Sequence, residues 1–365
     1  MKIVSTSYSK TTEFTDPKKW LERISFYTGI LEELAKRHEV ISIERINYEG
    51  EFEQSGVHYF FLRQKKKVIR FPGRMHRLIK ELKPEVVFVN GFIFPLQIIQ
   101  LRLKLGKGVK IIVLHRAEKP CKGLKKYLQK LADRCVDAYL FTSSEFGVEW
   151  KRNINVKKIH EVIQASSIFR VTDKSEARKL TKINGQPVFL WVGRLDANKD
   201  PLTVIKVFLT FLKDQPEAKL YMIYQGEELL QQVRDLIGPD ERGANAICLA
   251  GRIVHEQMQA WYNSADFIIS GSHYEGSGVG VCEAMSCGCI PVVTSIASFR
   301  RMTGPGKCGL LYQPGNEKDL LAALLQTKEM DIETERNKVL KQFNEELSFE
   351  AIGRKIEQVI TSLDK

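Results

Sequence analysis

The 365-residue sequence lacks an apolar run long enough to cross a membrane. Its most apolar window, residues 86–101, is interrupted by Asn90, Gly91 and Pro95, whereas a spanning helix needs about 20 largely apolar residues. The opening residues, MKIVSTSYSK, contain too short an apolar stretch for a secretory signal. We therefore expect the mature chain to start here, to span no bilayer and to be cytoplasmic.

The cysteines lack the C-x-x-C spacing that is typical of redox and many zinc sites. There are seven of them, and an odd number without a signal peptide favours reduced thiols. Cys282, Cys287 and Cys289 lie close together, which leaves a zinc site and small core residues as alternatives, and we favour the core.

The composition excludes a disordered chain, but the charge is unevenly distributed. Hydrophobic residues make up 43% and charged residues 27%, with only 12 prolines, as in soluble globular proteins. Residues 1–170 contain 33 Lys and Arg against 18 Asp and Glu (+15), and the remainder contains 23 against 26 (−3), which sums to the net +12. A basic first half suits an anionic membrane, a nucleic acid or an acidic substrate, or only keeps the protein soluble. Since no nucleic-acid-binding motif is recognisable, we expect no nucleic-acid partner.

The chain reads as two series of alternating strands and helices. Apolar runs such as VVFVN, KIIVLH, PVFLWVG and DFIISGS alternate with segments of helical periodicity, the pattern of parallel sheets covered on both faces. The polar, lysine-rich stretch after residue 165 interrupts the pattern. We predict two doubly wound α/β domains at residues 1–168 and 187–345, a connection at 169–186 and a C-terminal helix at 346–365 that packs on the first domain. Ligands of such sheets bind beyond the carboxyl ends of the strands.

Two cations follow one of these strands. In RLDANKDP, Arg194 and Lys199 lie in a strand-to-helix loop, and Asp200 and Pro201 are placed as helix cap and first helical residue. Arg can bind phosphate oxygens in a bidentate manner while Lys supplies a mobile charge, so the loop suits a diphosphate. A solvated loop is the alternative.

A second loop, HYEGSGVGVCEAM, combines glycines with two glutamates. Gly276, Gly278 and Gly280 allow close approach of the backbone to a ligand, and the amides at a helix start near Gly278 suit an anion. Glu275 precedes the bend and Glu283 lies in the helix, about 10 Å away at 1.5 Å per helical residue. That is too far for the carboxylate pair of a retaining glycosidase, which is about 5 Å apart, but it suits the two ends of a nucleotide sugar.

Taken together, these segments resemble glycosyltransferase family 4. EGSGVGVCE is similar to its E-x7-E motif, and VGRLDANKD, LAGRIVHEQMQAWYNSAD and GLLYQPGNEKDLLAALL are similar to flanking segments, so the resemblance covers residues 187–330. The first half is less similar, and STSYSKTTEF stands where the family often has a glycine-rich loop. The resemblance implies an α/β GT-B fold with two Rossmann-like domains whose parallel sheets face an interdomain cleft, the first binding the acceptor and the second the donor.

The resemblance also implies the roles of individual residues. Arg194 and Lys199 would bind the donor diphosphate, Glu283 the ribose hydroxyls, and Arg252 would flank the base. Glu275 would contact the donor sugar, and sugar or phosphate would meet the backbone amides of Gly276, Ser277, Gly278 and Val279. His115 corresponds to a family position beside the transferred sugar; the alternative is a histidine that only packs at a strand end. Glu118 and Lys119 lie close by in the sequence and could line the site.

The expected activity is transfer of a sugar from a nucleoside diphosphate sugar to an acceptor hydroxyl with retained anomeric configuration, in glycan, lipopolysaccharide, capsule or glycolipid synthesis. No metal or other cofactor is expected, because the cations and the helix start replace a divalent ion. A nucleotide-sugar epimerase of the same fold and a non-catalytic sugar-nucleotide-binding protein are the alternatives.

Residues 119–134 combine apolar and basic residues. Leu124, Tyr127, Leu128 and Leu131 recur at helical spacing, which indicates either an interfacial helix or a core-packed helix with a solvated face. They stand among the basic residues Lys122, Lys125, Lys126, Lys130 and Arg134. The first alternative predicts peripheral attachment at the inner face of the cytoplasmic membrane and a saccharide or lipid-linked glycan acceptor.

Overall fold

The structure, a computed structural model, describes residues 1–9, 11–63, 71–238 and 241–364. The chain divides into two units, Met1–Ser166 with Phe349–Lys365, and Ser167–Ser348. Each unit is an α/β assembly around a largely parallel sheet, as the sequence predicts. Among the helices of the described residues, none combines the length and apolar character needed to cross a bilayer.

The first unit contains an eight-stranded sheet, counted over its described residues, in the order β3-β4-β2-β1-β5-β6-β7-β8. The strands are β1 Lys2–Ser7, β2 Glu39–Glu44, β3 Gly50–Gln54, β4 Val57–Phe61, β5 Val86–Asn90, β6 Lys110–Leu114, β7 Ala138–Phe141 and β8 Ile159–Glu161. Strands β2, β4 and β3 lie on one side of β1, and strands β5 to β8 follow one another on its other side. The direction in which strands are added to the sheet therefore reverses between β1 and β5. The central strands are buried on both faces, which explains their continuous apolar runs.

The hairpin of β3 and β4 departs from the predicted all-parallel pattern, because these two strands pair antiparallel. The turn between them places Ser55 at φ 50° and Gly56 at φ 79°. Positive φ at both central residues is the geometry of a two-residue type I′ turn, which joins antiparallel strands.

The N-terminal part of the first unit, Met1–Ser166, contains six α-helices among its described residues. They are α1 Pro17–Arg23, α2 Ser25–Ala35, α3 Gly73–Glu81, α4 Pro95–Leu105, α5 Leu124–Asp133 and α6 Gly147–Trp150. Asp16 caps α1, since its carboxylate accepts from the amide of Lys18 at 2.9 Å. Helices α1 and α2 are separated at Ile24, whose backbone is not helical.

The second unit contains a six-stranded parallel sheet in the order β11-β10-β9-β12-β13-β14, counted over its described part. The strands are β9 Val188–Arg194, β10 Lys219–Gln225, β11 Ile247–Gly251, β12 Phe267–Ser270, β13 Ile290–Thr294 and β14 Leu310–Tyr312. The helices are α7 Lys174–Thr181, α8 Pro201–Phe211, α9 Leu230–Ile237, α10 Glu241–Ala246, α11 His255–Ser264, α12 Val279–Ser286, α13 Ala297–Thr303, α14 Glu317–Gln326 and α15 Ile332–Gln342. Here the order reverses between β9 and β12.

Residues 169–186, where the sequence predicts the connection, fold with the second unit. Helix α7 lies within this stretch and packs on α11. The Arg178 guanidinium donates to the Ser264 carbonyl at 2.9 Å, and the Lys174 ammonium pairs with the Asp266 carboxylate. The polar composition of residues 169–186 thus reflects a surface helix that hydrogen bonds and ion pairs hold against the second unit.

The last helix, α16 Phe349–Ser362, belongs to the first unit. It packs on α2, where the absence of a side chain at Gly29 leaves room for the Phe349 ring. The Glu357 carboxylate accepts from Arg37 Nε at 2.9 Å and lies 2.9 Å from His38 Nε2.

Candidate functional site

The two loops that the sequence singles out follow neighbouring strands of the second unit. Residues 195–200 follow β9, and residues 271–278 follow β12, which pairs directly with β9. These strands flank the point where the strand order reverses. The carboxyl edge at such a switch point is where ligands of open α/β sheets bind.

The two loops are joined by hydrogen bonds. The His273 amide donates to the Asn198 carbonyl at 2.8 Å, and the Asn198 side-chain amide donates to the Tyr274 carbonyl at 3.0 Å. At the base of the second loop, a Cβ added to Gly271 would lie 2.9 Å from the Asp200 carbonyl oxygen. Only glycine therefore permits this approach, and the loops form one surface.

The predicted cations lie on this surface. The Lys199 ammonium donates to the Glu275 carboxylate, so residues 76 positions apart in the sequence meet directly. The Lys199 stem packs over Gly193, where an added Cβ would lie 3.3 Å from Lys199 Cγ. Arg194 is exposed, and its guanidinium lies 3.0 Å from the Asp196 carboxylate.

The two helices that follow these loops, α8 and α12, begin where the sequence predicts. Asp200 caps α8 by accepting from the Thr203 amide at 3.3 Å, and Pro201 is the first helical residue. Gly278 caps α12 at φ 54°, with no side-chain cap. A Cβ there would lie 2.6 Å from the Phe299 ring, so glycine is required for both its φ and its packing.

The start of α12 is suited to an anion. Its first residue is Val279, preceded by Gly276 and Ser277 in a bend that is only half buried. The first amides of a helix have no intrahelical acceptor, and the helix dipole places partial positive charge there. The Lys199 ammonium, paired with Glu275, and the amides of this helix start therefore place hydrogen-bond donors on the same surface of the unit.

Glu283 lies further along α12 and is buried. One carboxylate oxygen lies 3.0 Å from His255 Nε2, and the other accepts from the Tyr262 hydroxyl at 3.0 Å. Burial, together with the adjacent carboxylate, raises the pKa of Tyr262, so this hydroxyl keeps its proton and donates. Glu283 is thus held in one orientation, in a hydrogen-bond network different from that of Glu275.

Arg252 and His115 belong to other elements of the chain than the two joined loops. Arg252 is exposed directly after β11, two strands from β9 at the same edge. His115 lies in the first unit, after β6, where its buried ring stacks on Phe141 at 4.2 Å and its Nε2 lies 3.0 Å from the Glu118 carbonyl. Burial lowers the pKa of His115. Packing at a strand end accounts for these contacts, and the role beside a transferred sugar stays a prediction.

Sequence reasoning missed a buried polar network at the switch point of the first unit. Asn90, the last residue of β5, accepts from the Arg116 guanidinium at 3.0 Å and donates to the Tyr27 hydroxyl at 3.1 Å. Arg116 also lies over the Tyr27 ring, 4.3 Å from its centroid. The Glu118 carboxylate accepts from the Arg116 and Phe92 amides and joins the loops after β5 and β6. Polar residues directly after strands β5 and β6 were the available signal, but they did not reveal that these groups meet.

The clustered cysteines are core residues, as the sequence analysis favours. Cys282, Cys287 and Cys289 are buried and form no disulfide, and the Cys289 thiol donates to the Tyr262 carbonyl at 2.9 Å. Burial raises the pKa of all three, which keeps them protonated and unreactive.

Comparison with known proteins extends these observations. Residues 172–346 match the family model of glycosyl transferases group 1. Mannosylfructose-phosphate synthase of Agrobacterium fabrum is 28% identical over 139 residues, covering 36% of this chain and 31% of that protein. GDP-mannose:cellobiosyl-diphosphopolyprenol alpha-mannosyltransferase of Xanthomonas oryzae is 28% identical over 152 residues, covering 40% of each. The matched segments thus span well under half the length of these relatives.

The solved structures extend the likeness to the whole chain. Anabaena HepE in complex with UDP superimposes with a TM-score of 0.74 at 14% identity, covering 99% of this chain and 100% of that one. This similarity shows the fold, and the relatives give no support to the epimerase or binding-protein alternatives. The chain therefore has the GT-B fold, and residues 172–346, just under half of it, match the group 1 glycosyl transferases.

Proposed function

We propose that this protein is a retaining glycosyltransferase that moves a sugar from a nucleoside diphosphate sugar to an acceptor hydroxyl. The observation that carries the proposal is the junction of the loops after β9 and β12, where Lys199 contacts Glu275 beside the start of α12. Cations and free amides on one surface suit a diphosphate, and a carboxylate beside them suits the sugar hydroxyls.

The diphosphate would be held from two sides. The Lys199 ammonium has three donors, so it can keep one on Glu275 and direct the others to phosphate oxygens. Arg194 is exposed and can exchange its contact with Asp196 for a bidentate contact to phosphate. The amides of residues 276–279 would complete the set. These groups stabilise the negative charge that develops on the departing diphosphate, which is typically the largest catalytic contribution.

Glu283 and Arg252 would bind the nucleoside end of the donor. The fixed carboxylate of Glu283 can accept hydrogen bonds from the ribose hydroxyls, because its two present donors leave lone pairs available on both oxygens. Arg252, exposed after β11 at the same edge, would flank the base. The family match over residues 172–346 supports both assignments.

Retention of configuration is part of the proposal. Glu275 and Glu283 belong to separate hydrogen-bond networks, which argues against a pair of carboxylates acting as acid and nucleophile on one bond. Transfer would then depend on stabilising the diphosphate and the oxocarbenium-like sugar, without a metal ion. Nuclear magnetic resonance of the product anomer tests this point directly, and an inverted product would contradict it.

The acceptor would be a saccharide or a lipid-linked glycan of the cell envelope, bound by the first unit. The name of the Xanthomonas relative, which describes transfer to a cellobiosyl-diphosphopolyprenol, supports this class of acceptor. The proposal keeps His115 as a contact to the transferred sugar, and His115→Phe, which preserves ring packing, would then lower turnover with little loss of stability.

The first step of the experimental test is to identify the nucleotide of the donor. Selective stabilisation by one of UDP-, GDP-, ADP- or TDP-sugars in a thermal-shift panel identifies the nucleotide, because a ligand that binds the native state raises the unfolding temperature. Lys199→Ala and Arg194→Ala should each reduce transfer from that donor by about 100-fold, the typical effect of removing one oxyanion-stabilising donor. Lys213→Ala, at an exposed position in the same unit, is the matched control. Near wild-type transfer by both loop variants at saturating donor would refute the diphosphate assignment.

A further inference from the structure

Helix α5 carries its apolar stripe on the outside. Leu124 is 86% exposed, Tyr127 68%, Leu131 47% and Leu128 39%. At 100° per residue these four positions fall within about 100° on one side of the helix. Large apolar side chains grouped in this way on a surface mark an interaction site more often than isolated ones do.

The buried side of α5 carries one small apolar residue and one polar residue. It contains Ala132 and Gln129, whose side-chain amide donates to the Phe92 carbonyl at 2.7 Å and accepts from the Cys121 amide at 2.9 Å and the Asn153 side chain at 2.7 Å. These hydrogen bonds hold the helix in its present rotation. The expectation of a core-packed helix with a solvated polar face is therefore wrong, because the stripe points away from the core.

Cations flank the stripe on both sides. Lys125 lies on one side of the stripe and Lys130 on the other, each about 60° from the nearest apolar member at 100° per residue, and Lys126 lies further round the helix beside Lys130. Within the described residues none of the three forms a salt bridge. Lys126 and Lys130 also line a shallow depression of about 290 Å³ together with Lys151 and Arg152. Its one acid, Asp133, is already engaged by the Tyr139 hydroxyl at 3.0 Å and the Lys158 ammonium at 3.7 Å.

We propose that this surface, the stripe of α5 with its flanking cations and the basic depression, docks on an anionic phospholipid leaflet. The apolar side chains would enter the boundary between headgroups and acyl chains, and the cations would meet lipid phosphates, as in interfacial amphipathic helices. Charge argues against a second copy of the chain as the occupant, since two such surfaces would repel each other. The proposal concerns the first unit and does not depend on sugar transfer.

The test is co-sedimentation of the full-length protein with vesicles. The protein should bind mixed phosphatidylglycerol–phosphatidylcholine vesicles, should bind phosphatidylcholine vesicles far more weakly, and should dissociate from the anionic vesicles as salt rises. Leu124→Ser/Tyr127→Ser should reduce the partition coefficient at least tenfold. Lys125→Gln/Lys126→Gln should reduce it about 25-fold, since each basic residue near the surface contributes about 1 kcal/mol, or about fivefold.

The matched control is Leu180→Ser, which removes an equally exposed leucine, 78% exposed, from the second unit. It should bind vesicles like wild type, and all variants should keep the wild-type unfolding temperature. Wild-type binding by the stripe variant, or absence of binding to anionic vesicles, would overturn the proposal. So would a wild-type dimer, detected by sedimentation, that the stripe variant loses. Donor-induced thermal shifts on the same samples report on the proposed transferase site separately.

Discussion

Gly271→Ala tests whether the two loops of the candidate site act as one unit. The added Cβ would lie 2.9 Å from the Asp200 carbonyl oxygen and 3.1 Å from that of Lys199, against about 3.5 Å for an unstrained contact. Both obstacles are backbone atoms, so the loops must separate by about half an ångström. Overpacking of this kind costs about 1 to 3 kcal/mol. For a unit of this size, a loss of 2 kcal/mol lowers the unfolding temperature by about 4 to 8 °C.

The same separation would displace Lys199 relative to Glu275. Because misplacement by 1 Å can reduce a rate about 100-fold, we expect donor turnover to fall at least tenfold. Thermal unfolding and initial rates with the donor found in the panel are the measurements. Gly280→Ala is the stability control, since its Cβ would meet its nearest neighbour, the Tyr262 hydroxyl, at an ordinary 3.6 Å. A Gly271→Ala protein with unchanged stability and turnover would refute the view that the loops are rigidly joined.

Three further predictions concern single groups, and a fourth concerns metal ions. Glu283→Gln should weaken donor binding at least tenfold in calorimetry, because a charged hydrogen-bond acceptor is lost; unchanged affinity would remove the ribose assignment. Tyr262→Phe should lower the free energy of unfolding by about 1 to 3 kcal/mol, because it leaves a buried carboxylate oxygen without its donor. Burial, reinforced by nearby Lys104, lowers the pKa of His76 to about 4 from the ordinary 6.5. The folded state thus favours the neutral ring, and up to about 3 kcal/mol of stability, present above pH 6.5, is lost as the pH falls toward 4. In urea unfolding, the free energy of unfolding should fall less between neutral and acidic pH for His76→Gln than for wild type. Equal losses would contradict the assignment of this pH dependence to His76. Transfer activity should survive excess EDTA, and abolition with rescue by Mg²⁺ or Mn²⁺ would contradict the metal-free proposal.

Local patterns were sufficient for most of the secondary structure. The caps at Asp16 and Asp200, the start of α12 at Gly278 and the buried parallel strands follow from residue type and periodicity, which act over a few residues. The hairpin of β3 and β4 and elements such as α13, β14 and α15 were missed. These elements are short or lie in mixed, polar sequence, so their local signal is weak and packing against the rest of the unit decides them.

By itself, the sequence determined the fold class, the placement of charged and glycine-rich loops after strands, and the residue types available for binding a diphosphate. Only the tertiary structure decided that Lys199 meets Glu275, that Glu283 is held by His255 and Tyr262, and that α5 turns its apolar stripe outward. The physical reason is distance along the chain. Periodicity and capping are set by neighbours in sequence, whereas these contacts join residues 21 to 76 positions apart, and the rotation of α5 depends on hydrogen bonds to Phe92 and Asn153 that no local pattern encodes.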